Sequence, residues 1–550
     1  MMSKRAIFAS SVATLALGLA PAVLAKSSGR IPRTPPSASQ LAPTTLHPEA
    51  GRGLGRSYTG NAVDVTQFHY DAGRTGWNPT ETDLTPATVK SRSFGLLASF
   101  AVDDNVFAQP LLVTNYEMPN GALHDVLVIA TGNNSVYAFD AHSYKLLYKV
   151  NLGKQQASVD VDCDDVMPGY GITGTPVIVR EGERATIYLV SATEPRPNEF
   201  HHRLHALDLG TGKDMRAPAE IAPSARFTDG TTNMFDPRNQ WSRTGVAVSG
   251  KSLYFGVSSH CDNKSTAATG WILRYGLDLK PEGAFNTIGS PGEELASVWM
   301  TGFAPAIDAR GDVWVATGNG PYGPAGHDYG ESILRFTPTL KVGGSFTPHN
   351  WLQMNDHDLD QGSGGVVLLP RLAGQTGPDR AAQVGKTGIL YLLDQASPGG
   401  ISPTTDKVLA KINVGGGVWG GPAYFDGANG PTLIEQGDMD KLHSYLVPPN
   451  ATRFVAKASG TTQAGYGGST PIVSSNGNRP DTGVVWVVRR SAPIELEAYN
   501  AETLGAPIYR ATIGPWSNPM QGNAFLTAME ANGRVYVGAN KVVKVFGLTK

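Results

Sequence analysis

TGTPVIV, from Thr173 to Val179, is one of eight similar stretches that recur along this chain about every fifty to sixty residues. Each stretch joins small residues, often with a proline, to a short apolar run that is typical of a buried strand. The other seven are AQPLLV from Ala108, SRTGVAV from Ser242, GFAPAID from Gly302, GSGGVVLL from Gly362, WGGPAYF from Trp419, GGSTPIV from Gly467 and GNAFLTA from Gly522. Recurrence at this period indicates a repeat architecture.

Further strands follow each stretch. VLVIATGNNSVYAFDA from Val126 contains two apolar runs around a polar turn, and DVWVATGNG from Asp312 and RVYVGANKVVKVFGL from Arg534 repeat the pattern. A four-stranded antiparallel sheet cannot bury both faces alone, whereas sheets packed around a common axis can. The sequence therefore predicts an all-β fold, a β-propeller of about eight four-stranded blades; a run of separate sandwich domains is the alternative.

The two ends of the chain complete this prediction. The eighth repeat is short of a strand, and SFGLLASFAV from Ser93 would supply it and close the ring, which removes exposed sheet edges. Residues 1–25 carry a basic start, an apolar run and small residues, the pattern of a cleavable signal peptide. Residues 26–58 form a flexible leader rich in Ser, Pro and Gly, and residues 59–550 form a single propeller domain.

Composition narrows the class of protein. The chain has 65 glycines and 38 prolines and is only 17% charged, which favours tight turns and short strands over long helices. Its net charge of −2 argues against a general nucleic-acid or anionic-membrane binder. The signal predicts a periplasmic or secreted protein with no membrane span after cleavage. In an oxidising compartment Cys163 and Cys261 form a disulfide or stay buried as two thiols.

A family resemblance adds to this reading. ALDLGTGK, from Ala206 to Lys213, resembles the docking motif that ties neighbouring blades in the quinoprotein dehydrogenases that use pyrroloquinoline quinone (PQQ). The resemblance implies the eight-bladed fold of the quinoprotein alcohol dehydrogenases. The same motif also occurs in non-catalytic scaffolds that assemble outer membranes.

The stretch from Gly256 to Asp394 resembles the cofactor-binding part of that family. TGNGP from Thr317 looks like the segment that places an asparagine, here Asn319, on calcium, and HDLD from His357 looks like the segment of the catalytic aspartate, here Asp360, with Asp358 as its neighbour. The resemblance also assigns quinone contacts to the residues Asp358, Lys386 (in VGKTGILYLLD) and Trp299, and a calcium contact to Asp262 (in SSHCD).

These residue types suit the chemistry that the resemblance implies. Calcium prefers hard oxygen ligands, which Asp262, Asn319 and Asp360 provide. Asp360 would take the substrate hydroxyl proton as hydride leaves for the quinone, and Lys386 would stabilise charge on the quinone oxygens. Trp299 offers an apolar face for a planar ring.

Each of these residues also has a structural interpretation. Asn319 lies between glycines, where asparagine commonly serves a turn, and Asp358 with Asp360 fits a solvated acidic loop. Lys386 fits an exposed hairpin cation, and Trp299 fits packing between blades. The chain also departs from the family, because it has no adjacent cysteines and no tryptophan within HDLD.

Two hypotheses of function follow. The first is an exported oxidoreductase that oxidises an alcohol or a sugar with PQQ and calcium at one mouth of the channel and passes electrons to a separate acceptor, because no CxxCH heme motif is present. The second is a non-catalytic propeller that binds a protein or a polysaccharide. A polysaccharide lyase is a third option that no motif supports.

Three other groups of residues remain open at this point. DVDCDD, from Asp160 to Asp165, fits a solvated loop better than a calcium site because its spacing matches no EF-hand. His201, His202 and His205 offer nitrogen ligands for a metal, but they are expected at the surface. Arg489 and Arg490 fit either an anionic ligand or a charged blade edge.

Overall fold

The structure, a computed structural model, describes residues 55–262, 268–516 and 525–549, and within them nearly all regular structure is β-strand. The predicted signal and residues 26–54 of the leader lie outside the described residues, as do residues 522–524 of the eighth repeat stretch. None of the helices within the described ranges is long and apolar enough to cross a membrane.

The first half of the chain forms four antiparallel sheets, each of which follows the last along the sequence. Sheet A contains Leu111–Glu117, Leu123–Ala130, Ser135–Asp140 and Leu146–Asn151, and sheet B contains Val177–Glu181, Arg184–Thr193, His201–Asp208 and Ala219–Glu220. Sheet C contains Ala247–Ser249, Ser252–Ser259, Trp271–Gly276 and Pro281–Asn286, with Gln240–Trp241 on its second strand, and sheet D contains Ala306–Ile307, Val313–Ala316, Ile333–Phe336 and Val342–Phe346.

The second half continues the pattern. Sheet E contains Val367–Leu369, Arg380–Val384, Ile389–Asp394 and Ala410–Asn413, sheet F contains Ala423–Gly427, Gly430–Gln436, Lys441–Leu446 and Val455–Gln463, and sheet G contains Ile472–Ser474, Val484–Arg489, Ile494–Asn500 and Leu504–Gly514. Sheets F and G touch through one parallel pair, Gly460 with Gly505. Sheet H joins Met529–Ala531 and Arg534–Leu548 to Phe94–Asn105, which is the pairing of the chain ends that the sequence predicts.

Short elements connect the sheets. They comprise the α-helices Pro86–Lys90 and Trp351–Asp356, the 3₁₀ turns Met300–Gly302 and Gln361–Ser363, and the strand pairs Gln156–Ala157 with Gly169–Tyr170, Ser224–Arg226 with Thr232–Met234, and Tyr322–Gly323 with Asp328–Tyr329. Each repeat stretch quoted above leads into the first strand of one sheet. The apolar core lies between successive sheets; one cluster, for example, joins Val367 of sheet E to Trp314 of sheet D.

A segment near the start of the described chain lies against the first strands. Residues 65–78, the axial segment, accept backbone hydrogen bonds of 2.7–2.9 Å from the first strands of sheets A, B, D, E, F and G. The donors are Leu112, Ile178, Ile307, Leu368, Tyr424 and Val473, together with Ser475, which directly follows the first strand of sheet G. The first strands of six sheets all hydrogen-bond to one short segment. We infer that these strands are the inner strands and that the axial segment occupies the middle of the ring.

Buried polar groups hold the axial segment. Arg74 is fully buried and donates from Nε and Nη2 to the Pro305 carbonyl at 3.0 and 2.9 Å. Phe68 and His69 each pack edge-on against Phe303 with ring centroids 4.7 Å apart. Gly76 has φ +69°, and a Cβ there would lie 2.9 Å from the His69 ring, so only glycine suits the position. No apolar periodicity marks this segment, and the sequence did not predict its axial role.

The axial segment is tied to sheet H by a buried acid. Glu530 is fully buried and accepts a hydrogen bond of 2.8 Å from the Asn78 side chain, and its backbone bonds to the Tyr70 hydroxyl. Burial, and then the nearby charge of Glu81, raises the pKa of Glu530 well above its usual value. The folded chain therefore holds this proton more tightly than the unfolded chain does.

Replacing Glu530 by glutamine is expected to flatten the pH dependence of stability. A group with a raised folded pKa contributes stability that is complete below its ordinary pKa and is lost as pH rises through the folded pKa. Wild-type protein should therefore lose thermal stability, as pH rises above the ordinary pKa of a glutamate, by a component that Glu530→Gln lacks. Melting curves at several pH values measure it, with the exposed Glu117→Gln as the matched control. Equal slopes in the two variants would contradict the assignment.

Candidate functional site

The residues that the sequence singled out lie at one end of sheets C, D and E. Asp262 follows the second strand of sheet C, Asn319 follows the second strand of sheet D, and Lys386 follows the second strand of sheet E. Asp358 and Asp360 lie on the connection that enters the first strand of sheet E. In an antiparallel meander, the connection after the second strand and the connection into the first strand leave from the same end, so all five meet at one mouth of the ring.

Three carboxylates meet at this mouth. One oxygen from each of Asp262, Asp358 and Asp360 lies within 4.8 Å of the others. Lys386 Nζ lies 2.5 Å from Asp360 Oδ2 and 2.7 Å from Asp358 Oδ1. The backbone N–H of Asn319 donates to Asp360 Oδ1 at 2.7 Å, and its side-chain amide donates to Asp358 Oδ1 at 2.8 Å. The structure thus brings all five residues together, and their roles stay predictions.

Burial separates the two aspartates of HDLD. The side chain of Asp360 is 0% exposed and that of Asp358 is 71% exposed. Burial opposes ionisation of Asp360, but the charge and hydrogen bond of Lys386 and the Asn319 N–H outweigh it and lower the pKa of Asp360. Asp360 is therefore an ionised carboxylate that is buried away from solvent, whereas Asp358 faces solvent. Asp360 does not lie on a solvated loop, the structural interpretation that the sequence left open.

The other ionisable groups of the cluster respond to the same charges. Burial, and then the charge of Asp360, raises the pKa of Asp262 to about 7. Burial works against the charge on Lys386, but Asp360 and Asp358 raise its pKa. Lys386 is only 11% exposed and is therefore no free hairpin cation.

A fourth carboxyl lies behind the cluster. Glu331 is fully buried, and its Oε2 accepts a hydrogen bond of 2.6 Å from the backbone N–H of Gln361. Burial, and then the charge of Asp360, raises the pKa of Glu331 well above its usual value. Sequence reasoning missed this residue. The available signal was a glutamate directly before the apolar run SILRF, where a charge is unusual in a buried strand.

The donor atoms fit a hard metal ion. Asn319 is 7% exposed, and its Oδ1 is buried without a hydrogen-bond donor among the described residues. A buried amide oxygen normally finds a partner, and a cation would supply one. The carboxylates of Asp262 and Asp360 add oxygen ligands. Calcium or a lanthanide matches this set.

Trp299 lies beside the cluster under two cations. Lys386 Nζ lies 5.6 Å from the centroid of its ring, and the guanidinium carbon of Arg243 lies 4.5 Å from it. Arg243 also covers the Trp241 and Phe525 rings at 4.2 and 4.5 Å. Two cations at an aromatic face suit a flat, anionic ring. Trp299 is only 5% exposed, so its ring is covered in this structure.

The two cysteines are joined beside the cluster. Cys163, on the connection between sheets A and B, forms a disulfide with Cys261, with the two Cα atoms 5.6 Å apart. Asp262 directly follows Cys261, and both have positive φ, +50° for Cys261 and +42° for Asp262. Non-glycine residues are strained in this region, so a covalent tie at Cys261 helps to hold the Asp262 carboxylate at the mouth. Since both sulfur atoms are bonded to each other, they are not free to bind a metal.

The expectation of surface histidines is wrong for two of the three, and one of the two open interpretations is excluded for Arg490. His202 and His205 are buried, at 0% and 4% exposure, and do not lie at the surface. His202 bonds to the Ser242 hydroxyl while His205 bonds to Asp214, so these two histidines do not share a metal site. Arg490 is fully buried and is no charged blade edge.

Replacing Gly318 by alanine is expected to lower metal affinity about 10–100-fold, as changes that move a metal ligand indirectly commonly do. A Cβ at Gly318 would lie 2.1 Å from Asp360 Oδ1 and 2.8 Å from Trp299 Nε1, so the Asp360 carboxylate must shift. Terbium luminescence excited through tryptophan measures the affinity.

Gly323→Ala is the matched control for this variant. Its Cβ would lie 3.6 Å from the nearest atom, Asp328 Oδ2, which is ordinary van der Waals contact. Equal terbium affinity in the two variants would show that Asp360 binds no metal.

Comparison with solved structures identifies the architecture. A europium-containing methanol dehydrogenase superimposes with a TM-score of 0.55 at 13% sequence identity and covers 88% of this chain and 98% of its own. Quinohemoprotein alcohol dehydrogenases from Comamonas testosteroni and Pseudomonas putida HK5 superimpose with TM-scores of 0.53 and 0.51 at 15% and 12% identity, over 88% of this chain and 80% of theirs.

Comparison of the sequence with known families and curated proteins gives no match. At 12–15% identity, the structural matches establish the fold alone. They confirm the predicted all-β propeller class, although the number of blades stays a prediction. This chain has the β-propeller fold of the PQQ-dependent alcohol dehydrogenases.

Proposed function

We propose that this protein is an exported quinoprotein-like oxidoreductase that oxidises an alcohol or a sugar with PQQ and a calcium or lanthanide ion. The observation that supports the proposal is the meeting of Asp262, Asn319, Asp360 and Lys386 at one mouth of the ring. These residues come from three sheets and are separated by up to 124 positions (386 − 262) in the sequence. Shared ancestry of the fold alone does not require their polar side chains to converge.

The residues of the cluster have different roles in this proposal. Asp262, the Asn319 amide oxygen and Asp360 would hold the metal, which polarises oxygen atoms bound to it. A bound quinone supplies the hydride acceptor. Asp360 keeps its carboxylate ionised through Lys386 and so is ready to accept the proton of a substrate hydroxyl. The Lys386 ammonium stays protonated and holds that carboxylate in place.

Export and the electron acceptor belong to the same proposal. Residues 1–25 carry the signal pattern, and a Cys163–Cys261 disulfide suits an oxidising compartment. Electrons would leave to a separate acceptor. N-terminal sequencing of the protein recovered from the periplasm or the medium tests cleavage after residue 25, and an intact N-terminus contradicts it.

Reconstitution tests the activity. Purified protein is mixed with PQQ and with calcium, europium or no metal, and quinone binding is followed by absorbance and calorimetry. We expect metal-dependent binding of quinone and dye reduction with an alcohol or a sugar. Absence of quinone binding with every metal would refute the proposal and would favour the alternative, a non-catalytic propeller that binds a protein or a polysaccharide.

A further inference from the structure

Two aromatic side chains stand at the same mouth, next to the carboxylate cluster. Trp419 precedes the first strand of sheet F, and Tyr466 precedes the first strand of sheet G. Their ring centroids are 5.2 Å apart, and the rings are tilted by 40°. Tyr466 is 44% exposed and Trp419 is half-buried. We call these two rings the aromatic platform.

The aromatic platform adjoins the candidate catalytic groups. Lys386 Nζ lies 5.7 Å from the centroid of the Trp419 ring, nearly the same distance as from Trp299. The backbone N–H of Val418 donates to the Gly385 carbonyl at 3.0 Å, so the platform loop is bonded to the loop of Lys386. A molecule on these rings therefore lies beside Lys386 and the exposed carboxylate of Asp358.

A buried arginine fixes the aromatic platform. Arg490 is fully buried, and its Nη1 donates to the Trp419 carbonyl at 2.7 Å and to the Gly467 carbonyl at 2.9 Å. The Trp419 N–H donates to the same Gly467 carbonyl at 3.0 Å. Gly467 has φ +79°, which turns the chain sharply just after Tyr466. Burying a guanidinium is costly, so its use to hold the backbone beside these two rings indicates that their positions matter.

The chemistry of this surface selects one class of ligand. A sugar ring carries one face of C–H groups, which stacks on aromatic rings, and a rim of hydroxyls, which bond to carboxylates and ammonium groups. The aromatic platform supplies the stacking surface, and Asp358 and Lys386 supply the polar partners. A short aliphatic alcohol has too little surface to cover two rings.

We propose that Trp419 and Tyr466 form a sugar-binding subsite that presents a monosaccharide ring to the cluster of Asp358, Asp360 and Lys386. The proposal rests on the proposed function for its catalytic meaning, but the binding itself needs neither quinone nor metal. It narrows the substrate class from alcohols in general to sugars.

The test is binding to the purified protein without added cofactor. Saturation-transfer NMR and tryptophan fluorescence are recorded with D-glucose, D-galactose, D-mannose and D-xylose, with 1-butanol as the acyclic comparison. At least one sugar should bind and should receive saturation on its ring C–H protons. Trp419→Ala and Tyr466→Ala should each weaken that binding about tenfold or more, as the loss of a central aromatic contact does.

Tyr466→Phe is the matched control, because it keeps the ring and should change affinity less than about threefold. Failure of all four sugars to bind, or binding that survives both alanine variants, overturns the subsite. Sugar binding without any quinone binding keeps the subsite and refutes the oxidoreductase. Quinone binding without sugar binding refutes the subsite and keeps the oxidoreductase.

Discussion

Asp360→Asn is expected to lower the turnover of the reconstituted enzyme by about 10²–10⁴-fold, the range that a positioned general base contributes. An amide cannot take the proton that the ionised Asp360 accepts. The substitution keeps the shape of the side chain, and Lys386 keeps its ion pair with Asp358 at 2.7 Å. Steady-state dye reduction measures the loss, and thermal unfolding checks that the fold survives.

Asp356→Asn is the matched control for this variant. Asp356 is an exposed aspartate at the end of the helix Trp351–Asp356, four positions before Asp360. We expect it to keep wild-type turnover and stability. If Asp360→Asn retains turnover within about threefold of this control, a difference of less than about 1 kcal/mol in the barrier, Asp360 is not the base.

Replacing both Cys163 and Cys261 by serine is expected to reduce the free energy of unfolding by about 2–5 kcal/mol, the usual effect of removing a native disulfide. The two cysteines are 98 positions apart, so the crosslink restricts a long loop in the unfolded chain. Chemical denaturation with urea measures the change. A midpoint equal to that of oxidised wild type would contradict the expectation.

The same double variant should also weaken metal binding. Cys261 and Asp262 both have positive φ, and without the crosslink this strained pair is free to relax and withdraw the Asp262 carboxylate. Terbium affinity should fall about tenfold, within the range for lost ligand support. The control is reductant: dithiothreitol should lower the affinity of wild type and leave the double variant unchanged.

Much of the fold was predictable because the repeated stretches are visible in the amino-acid sequence. The eight stretches lead into the eight first strands, and Phe94–Asn105 pairs with the last long strand as the ring-closing argument requires. Strand alternation and small residues act locally, so they can be read without a structure. The axial segment could not be read in this way, because its hydrogen bonds go to six different sheets.

The candidate site divides in the same way. Asn319, Asp360 and Lys386 were found through motifs, but Glu331, Arg243 and the pair Trp419 and Tyr466 were not. Glu331 and Arg243 are buried ionisable residues, and their surroundings depend on which sheets lie next to them. The misplacement of His202 has the same cause, since a polar residue on a strand shows no sign of which face is covered.

By itself, the sequence determined the repeat, the all-β class of the fold and the residue types that lie at one end of the sheets. These follow from local patterns of apolar, small and turn residues. Only the tertiary structure decided that Asp360 is buried and ionised beside Lys386, that the Cys163–Cys261 disulfide borders Asp262, and that the axial segment lies in the middle of the ring. Burial and electrostatics depend on distances between residues far apart in the chain, and closing the ring of sheets sets those distances.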